Sequence, residues 1–332
     1  MANVQFVPHS QEMYQRAPGY PDFALNGFFV EKFSKTLLKT YWATTYLPKI
    51  TTAGYLSEIA DIGDKVTIQR EPDVHITPYI KGGKYEVESS LPEPFSLMIT
   101  RGGRWTKGWE DRDLRRSNIP SLLAKTAVAA RDKIAVTTEQ EFYLDYCDLS
   151  DGLGNKIPAY NQGANAGKVS GKYNLGTVAS PFSLTVANSI SYFMRFARVI
   201  GETNVPNESR KRSVIIPGVV AYILSQNEHL LDADKRGSAE TSLFTEKLLD
   251  LRNVGTVYES NLLPVFGDNH DIYPVIAFTK ESLNYAMTCK ETQMEKVPMT
   301  DIQTVHGRFI YDWAAVRGDG MTIGFVQVPA IS

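Results

Sequence analysis

The stretch from about Ile50 to Ser117 constrains this chain most, because it reads as one strand leaving a compact body and another returning, with little between them that could form a core. The outgoing run is GDKVTIQREPDV, from Gly63, and the return is FSLMITRGGRWTKGWEDRDL, up to Leu114. Between them stand Pro72, Pro78, Gly82, Gly83, Pro92 and Pro94, which punctuate extended chain and forbid a helix of any length. About fifteen residues each way, at roughly 3.3 Å per residue, reach on the order of 50 Å. A compact domain of about 150 residues has a radius of gyration of only roughly 15 Å, so such an arm overhangs its own body. An isolated hairpin is at best marginally stable in water. The economical support is another copy of the same chain.

The body itself is ordinary in composition. Its 332 residues, 43% hydrophobic and 22% charged, suffice for about two domains with sizeable cores. A formal net charge of -2 argues against a protein that works mainly by neutralising many phosphates. The two cysteines, Cys147 and Cys289, are far apart and in no metal-ligand spacing, so they read as reduced thiols. No apolar run approaches the ~18 residues that span a bilayer. The start, MANVQFVPHSQEMYQ, lacks the basic and apolar regions of a secretory signal.

Along the chain, residues 1 to about 26 are polar, broken by Pro8, Pro18 and Pro21, and without period, as expected of an arm ordered only on a partner. Phe29, Phe33, Leu37 and Tyr41 repeat at i+4 and predict a helix from Phe28 that Pro48 ends. Pro120 opens a second helix, Ala-rich and unbroken for about 28 residues, roughly 42 Å long at about 1.5 Å per residue. Glycine and asparagine fill the stretch from Leu149 to Ala179 with loops. Ser180 and Pro181 look like an N-cap and first helical position, and Val186, Ile190, Phe193, Ala197 and Ile200 continue as an amphipathic face ended by Gly201. Beyond it RSVIIPG reads as a buried strand, GVVAYILSQ and SLFTEKLLDL as helices, and GTVYESNLL and YPVIAFT as strands, a mixed α/β pattern. RFIYDWAAV and MTIGFVQV read as a closing antiparallel pair turning at RGDG.

The ordered series FVEKFSKTLLKTYWATTYLPKI, GDKVTIQREPDV, SLMITRGGRWTKGWEDRDLRRS, the long helix, VYESNLLPV, and the tail YPVIAFTKESLNYAMTCKETQMEK with GRFIYDWAAVRGDGMTIGFVQV resembles the major capsid proteins of tailed bacteriophages over nearly the whole chain. The resemblance implies an α+β fold with a long spine helix, an extended two-stranded E-loop and a mixed α/β axial domain. It assigns residues 1–27 to an N-terminal arm, 28–49 to a helix joining the peripheral domain, and 50–112 to the E-loop. It assigns 113–180 to the peripheral domain with its spine helix, 181–295 to the axial domain, and 296–332 to a return into the peripheral domain. Many relatives carry Tyr-Gly where this chain has Tyr311-Asp312, which leaves the turn there open. Some relatives bond the loop covalently to a neighbour through a lysine and an asparagine. Lys81 and Lys84 sit near the tip, but no local motif matches them to that lysine.

Three other stretches carry residues with chemical potential of their own. GANAGK, from Gly163 to Lys168, has three residues between its glycines where a phosphate loop needs four, and Val169 where it needs Ser or Thr, so it reads as a structural loop. Asp268, Asn269, His270 and Asp271 are consecutive and cannot easily converge on one ion, so they read as a solvated turn. Trp105 and Trp109 lie among Arg101, Arg104, Lys107, Arg112, Arg115 and Arg116. Basic and aromatic residues in alternation can bind single strands, yet Glu110, Asp111 and Asp113 break the field, and subunit packing is the better reading.

The resemblance therefore implies a shell protein that assembles as hexamers and pentamers into the icosahedral head of a tailed double-stranded-DNA phage. It implies no enzyme activity, metal or cofactor. The alternative is an encapsulin-like bacterial nanocompartment enclosing cargo enzymes, and a nucleotide-binding enzyme built on GANAGK is a more distant rival. Tyr79, Lys81, Gly82, Gly83, Lys84, Glu86, Trp105 and Trp109 are the candidate inter-subunit contacts. Implied partners are further copies of the chain, a separate scaffolding protein, a portal protein and a decoration protein. The implied location is the virion, assembled in the host bacterial cytoplasm without a membrane.

Overall fold

The computed structural model describes residues 46–52, 62–69, 94–110, 119–203, 212–227, 247–251, 255–267, 269, 271–296 and 302–329. The N-terminal arm, most of the helix expected over 28–48 and the tip of the long hairpin lie outside these residues. The first described element is the single turn α1 (Leu47–Ile50). Pro48 sits in its first turn, where an absent N–H is tolerated, so it opens a helical turn and does not close one.

The strand pair at the base of the arm is present as read. β1 (Lys65–Gln69) pairs antiparallel with β2 (Pro94–Met98), from Lys65 opposite Met98 to Gln69 opposite Pro94. The return does not continue along this pair. After Thr100 the chain starts β3 (Arg101–Glu110), which leaves the arm and joins a sheet of the body. Glycine, lysine and tryptophan in RGGRWTKGWE extend readily but do not say which partner the strand takes.

The long helix forms as α2 (Ile119–Cys147), 29 residues with Pro120 in its first turn. Next come the short β4 (Phe182–Ser183), α3 (Ser189–Glu202), β5 (Arg212–Ile216) and α4 (Gly218–Ser225). The expected helix start at Ser180 is displaced, because Phe182 and Ser183 pair with a strand and Asn188 becomes the N-cap. Of SLFTEKLLDL, the last five residues are a strand, β6 (Lys247–Leu251): an available sheet partner overrides helical propensity. The chain ends with β7 (Gly255–Glu259), β8 (Ile272–Thr279), β9 (Leu283–Lys296), β10 (Ile302–Ala315) and β11 (Met321–Gln327).

These strands make two sheets besides the arm pair. One runs β3-β10-β9; the other is six-stranded and mixed, in the order β4-β11-β8-β5-β7-β6. The expected closing hairpin is therefore absent: β10 and β11 follow one another but lie in different sheets. The RGDG segment explains the parting. Val316 and Arg317 donate their N–H groups to Ser282 O, a 3-10 turn follows at Gly318–Gly320, and Asn161 and Thr203 hold Asp319 O by hydrogen bonds of 2.8 and 3.1 Å. By the same logic β9, within the expected axial segment, belongs with β10, while β11 crosses back to the larger sheet.

Both faces of the six-stranded sheet are covered, which is why its strands read as apolar runs without alternation. Val214, Ile216, Val275 and Ala277 face one core with α3 and α4, while Ile215, Ile276, Phe278 and Ile323 face another with α2. The α2 face packs Phe142, Tyr143 and Tyr146, each fully buried. The Tyr146 hydroxyl satisfies itself on Ala277 O and Thr322 O, 3.2 and 3.3 Å away. On the other face Gly324 lets α3 approach, since a Cβ there would fall 2.5 Å from Tyr192 Oη. The long helix thus packs into a core to which strands of both sheets contribute.

Candidate functional site

The root of the arm is a built joint. The ladder of β1 and β2 continues through Gly63 N to Ile99 O at 2.8 Å and Ile99 N to Asp64 O at 3.0 Å. Leu97 and Ile99 then bury themselves on Ala286 of β9 and Ile310 of β10. Thr100, the single residue between Ile99 and β3, donates both its N–H and its hydroxyl to Asp312 Oδ2, each at 2.8 Å. The other Asp312 oxygen accepts Trp313 N at 2.8 Å. Asp312 is only 6% exposed. A buried carboxylate is tolerated when it accepts several hydrogen bonds, and this one does. The turn left open at Tyr311-Asp312 is no turn: both residues lie in β10.

Arg101 fastens the same joint to α2. Its guanidinium lies 3.1 Å from Asp145, 3.7 Å from Asp312 and 4.0 Å from Glu141, and 4.3 Å above the Trp313 ring. Tyr311 donates to Glu141 at 2.6 Å and the Trp313 indole N–H to Asp145 at 2.5 Å. Glu141 and Asp145 stand four residues apart on α2 and so share a face, which is how one helix meets Tyr311 and Trp313, two apart on one strand. Three carboxylates converge on one guanidinium, with two aromatic donors taking up the surplus acceptors. The arrangement holds chain segments together.

Of the expected contact residues, Trp105 and Trp109 are described. Trp105 is half-buried, packs against the main core and lies over Gly307 of β10, where a Cβ would come within 2.7 Å of the indole. One part of its ring is therefore taken up within its own chain, while the side chain stays only half-buried. Trp109 is half-buried and pairs with Gln303. Tyr79, Lys81, Gly82, Gly83, Lys84 and Glu86 lie outside the described residues. Sequence reading missed Asp312, Glu141 and Asp145. The signal for Asp312 was present, as an acid inside the apolar strand FIYDWAA must find buried donors.

The GANAGK segment is a closed structural loop. Within it Ala166 N and Gly167 N donate to Tyr173 O and Tyr160 O, and the two amides that follow it, Val169 N and Ser170 N, donate to Glu202 Oε2 at 2.9 and 3.0 Å. Burial pushes the Glu202 carboxyl up, but these donors outweigh it and hold the group below its ordinary value. Lys168, which would have reached a phosphate, lies over the Tyr160 ring at 5.4 Å. Asp271 likewise accepts Gln327 Nε2 at 2.6 Å, while Asp268 and His270 lie outside the described residues. Among the described residues no group of three or more His, Cys, Asp or Glu could hold a metal, and no helix is long and apolar enough to cross a membrane.

Both cysteines are free thiols. Cys147 ends α2, and Cys289, within the segment expected as axial, lies on β9 of the three-stranded sheet. Burial pushes both thiols up, that of Cys289 to about 12, so neither is a ready thiolate near neutral pH. Freshly made, thiol-blocked protein is expected to run without a cross-linked ladder on a non-reducing gel, and both thiols are expected to alkylate only on denaturation. Rapid labelling of native protein would contradict this.

No protein-family model matches the sequence, and no curated protein matches it significantly. Solved structures do match. A chain from Mycobacterium phage Che8 superposes with a TM-score of 0.58 at 16% identity, covering 83% of this chain and 89% of that one. A chain of the Cyanophage Pam1 capsid gives 0.54 at 13% identity with complete coverage of both. A chain of the bacteriophage PhiM1 mature capsid gives 0.52 at 13% identity, over 82% and 85%. Identities this low speak to the fold, and they place this α+β chain in the fold of tailed-phage major capsid proteins.

Proposed function

We propose that this chain is the major capsid protein of a tailed double-stranded-DNA bacteriophage, building an icosahedral head from hexamers and pentamers of itself. The observation that carries the reading is the arm root. A two-stranded pair that joins neither sheet of the body is nevertheless fixed to it by a buried carboxylate, a small apolar cluster and a guanidinium bridge to the long helix. A chain has no use for such fixation unless the direction of the arm matters, and it matters when the arm must land on a neighbour. The capsid chains with the same fold support the same conclusion.

In this reading the work is geometric and not catalytic. The body defines the wall, and the arm, tipped by Tyr79, Lys81, Gly82, Gly83, Lys84 and Glu86, clasps the next subunit. A separate scaffolding protein, a portal and a decoration protein are the expected partners. DNA is enclosed without sequence-specific binding, in keeping with the net charge of -2. Electron microscopy of the purified protein is the test. Closed shells holding nuclease-protected DNA support the reading. Shells that instead hold a co-purified enzyme would favour the nanocompartment, and a lasting monomer that binds nucleotide would overturn both.

A further inference from the structure

The long helix α2 carries another buried carboxylate that the arm root does not use. Glu139 lies roughly 200° around the helix from Glu141, on the opposite side, and is 6% exposed. It accepts Tyr46 N at 2.9 Å and also the N–H of Leu47, the opening donors of α1. Tyr46, the N-cap of that turn, supplies no capping side chain of its own. Glu139 therefore caps α1 from 93 residues away, filling donors that a helix start leaves without partners. The rest of the joint is uncharged: Leu47 and Ile50 are buried in the main core, the backbone of Thr52 exchanges hydrogen bonds with Leu283 and Tyr285 of β9, and the Thr51 and Thr52 hydroxyls donate to Leu47 O and Lys280 O.

We propose that Glu139 is a proton-operated latch for the joint of residues 46–52 on α2, closed while its carboxyl holds a proton and loosened once it ionises. Among the described residues, Lys49 of α1 is the charged group that acts on it, Tyr46 and Tyr258 of β7 pack their rings beside the joint at 5.3 Å, and Phe142 and Tyr143 follow it on α2. Either form of the acid can accept the two N–H groups, but only the neutral form does so without a charge buried away from water.

Burial pushes the carboxyl from 4.5 up to about 7, against the N–H groups of Tyr46 and Leu47 and the Lys49 charge, which pull it down. A carboxyl released by opening returns to its ordinary range. Between those two values the closed joint holds a proton that the open joint has shed, so closure is strongest below about 4.5 and is lost as pH rises toward about 7. The opening constant should climb by up to about tenfold per pH unit across that window and then level.

Hydrogen exchange on the full-length protein between pH 5 and 8.5, corrected for intrinsic exchange, tests this directly. Protection of peptides covering 46–52 should fall on the order of a hundredfold with rising pH, while β8 peptides report any global change. Glu139→Gln keeps an acceptor oxygen without the charge and should flatten the profile. Lys49→Met should move the wild-type midpoint upward, and it decides the matter should Glu139→Gln not fold. A flat wild-type profile, or an equal slope in Glu139→Gln, would overturn the latch. The readout is a property of the single subunit, so it stands or falls apart from shell formation.

Discussion

Asp312→Ala is expected to lower the thermal unfolding midpoint of the subunit by roughly 5 °C or more, and to release the arm root selectively. Three carboxylates face Arg101, so losing one leaves the guanidinium paired with Asp145 and Glu141. The loss falls instead on the Thr100 N–H, the Thr100 hydroxyl and the Trp313 N–H, all of which donate to Asp312. Hydrogen bonds to a charged, buried acceptor contribute about 1.5–3 kcal/mol each, and water can replace some of the acceptors at Thr100, so about 3 kcal/mol is the expected net cost. At about 2 °C per kcal/mol for a chain of this size, the shift follows. Asp312→Asn keeps one acceptor oxygen and should cost about half as much. Arg101→Met should cost less, about 1 kcal/mol, because the guanidinium is about one-third exposed and its ion pairs are screened. Thermal unfolding gives the magnitudes, and hydrogen exchange over 94–100 gives the location. An unchanged midpoint with unchanged exchange there would show that the arm is fixed by Leu97 and Ile99 alone.

The joints show what a sequence of this kind discloses and what it withholds. The long helix was legible because an alanine-rich run free of glycine and proline follows Pro120, and the inner strands because both faces of their sheet are covered, which makes VIIPG and PVIAF apolar throughout. Sheet membership was not legible. RGDG has the residues of a tight hairpin, yet its backbone is held by Ser282, Asn161 and Thr203, contacts from distant segments that separate β10 from β11. KLLDL suits a helix as well as a strand, and the neighbouring β7 decided. Asp312 was visible as an acid among apolar neighbours in FIYDWAA, a pattern that announces buried donors somewhere, while Glu139, between Thr138 and Gln140 in TEQEFYL, carried no such mark; their donors sit 212 and 93 residues away. Local physics marks the need, and only the tertiary fold names the partner.

Replacing Tyr79 to Glu88 with a short Gly-Ser turn is expected to separate folding from assembly. The segment holds Lys81, Lys84, Glu86 and Glu88 with Gly82 and Gly83, too little apolar surface to stabilise itself. The arm root does not depend on it: the pairing of Lys65 with Met98, the burial of Leu97 and Ile99, and the Thr100 bonds to Asp312 all lie on the body side of the cut. The shortened chain should therefore keep the wild-type unfolding midpoint as a soluble subunit. If the arm clasps a neighbour, each lost hydrogen bond or ion pair is worth only about 1 kcal/mol, but the loss recurs at every copy of a symmetric shell. The expected result by electron microscopy is loss of closed particles, or particles that break at lower temperature than wild type. Shells of unchanged form and thermal stability from the shortened chain would mean that the arm is not an inter-subunit clasp. The fixation of its root by Asp312 would then serve the single subunit alone, and the two variants together separate these cases: Asp312→Ala alters the subunit, while the shortened arm alters only what subunits do to one another.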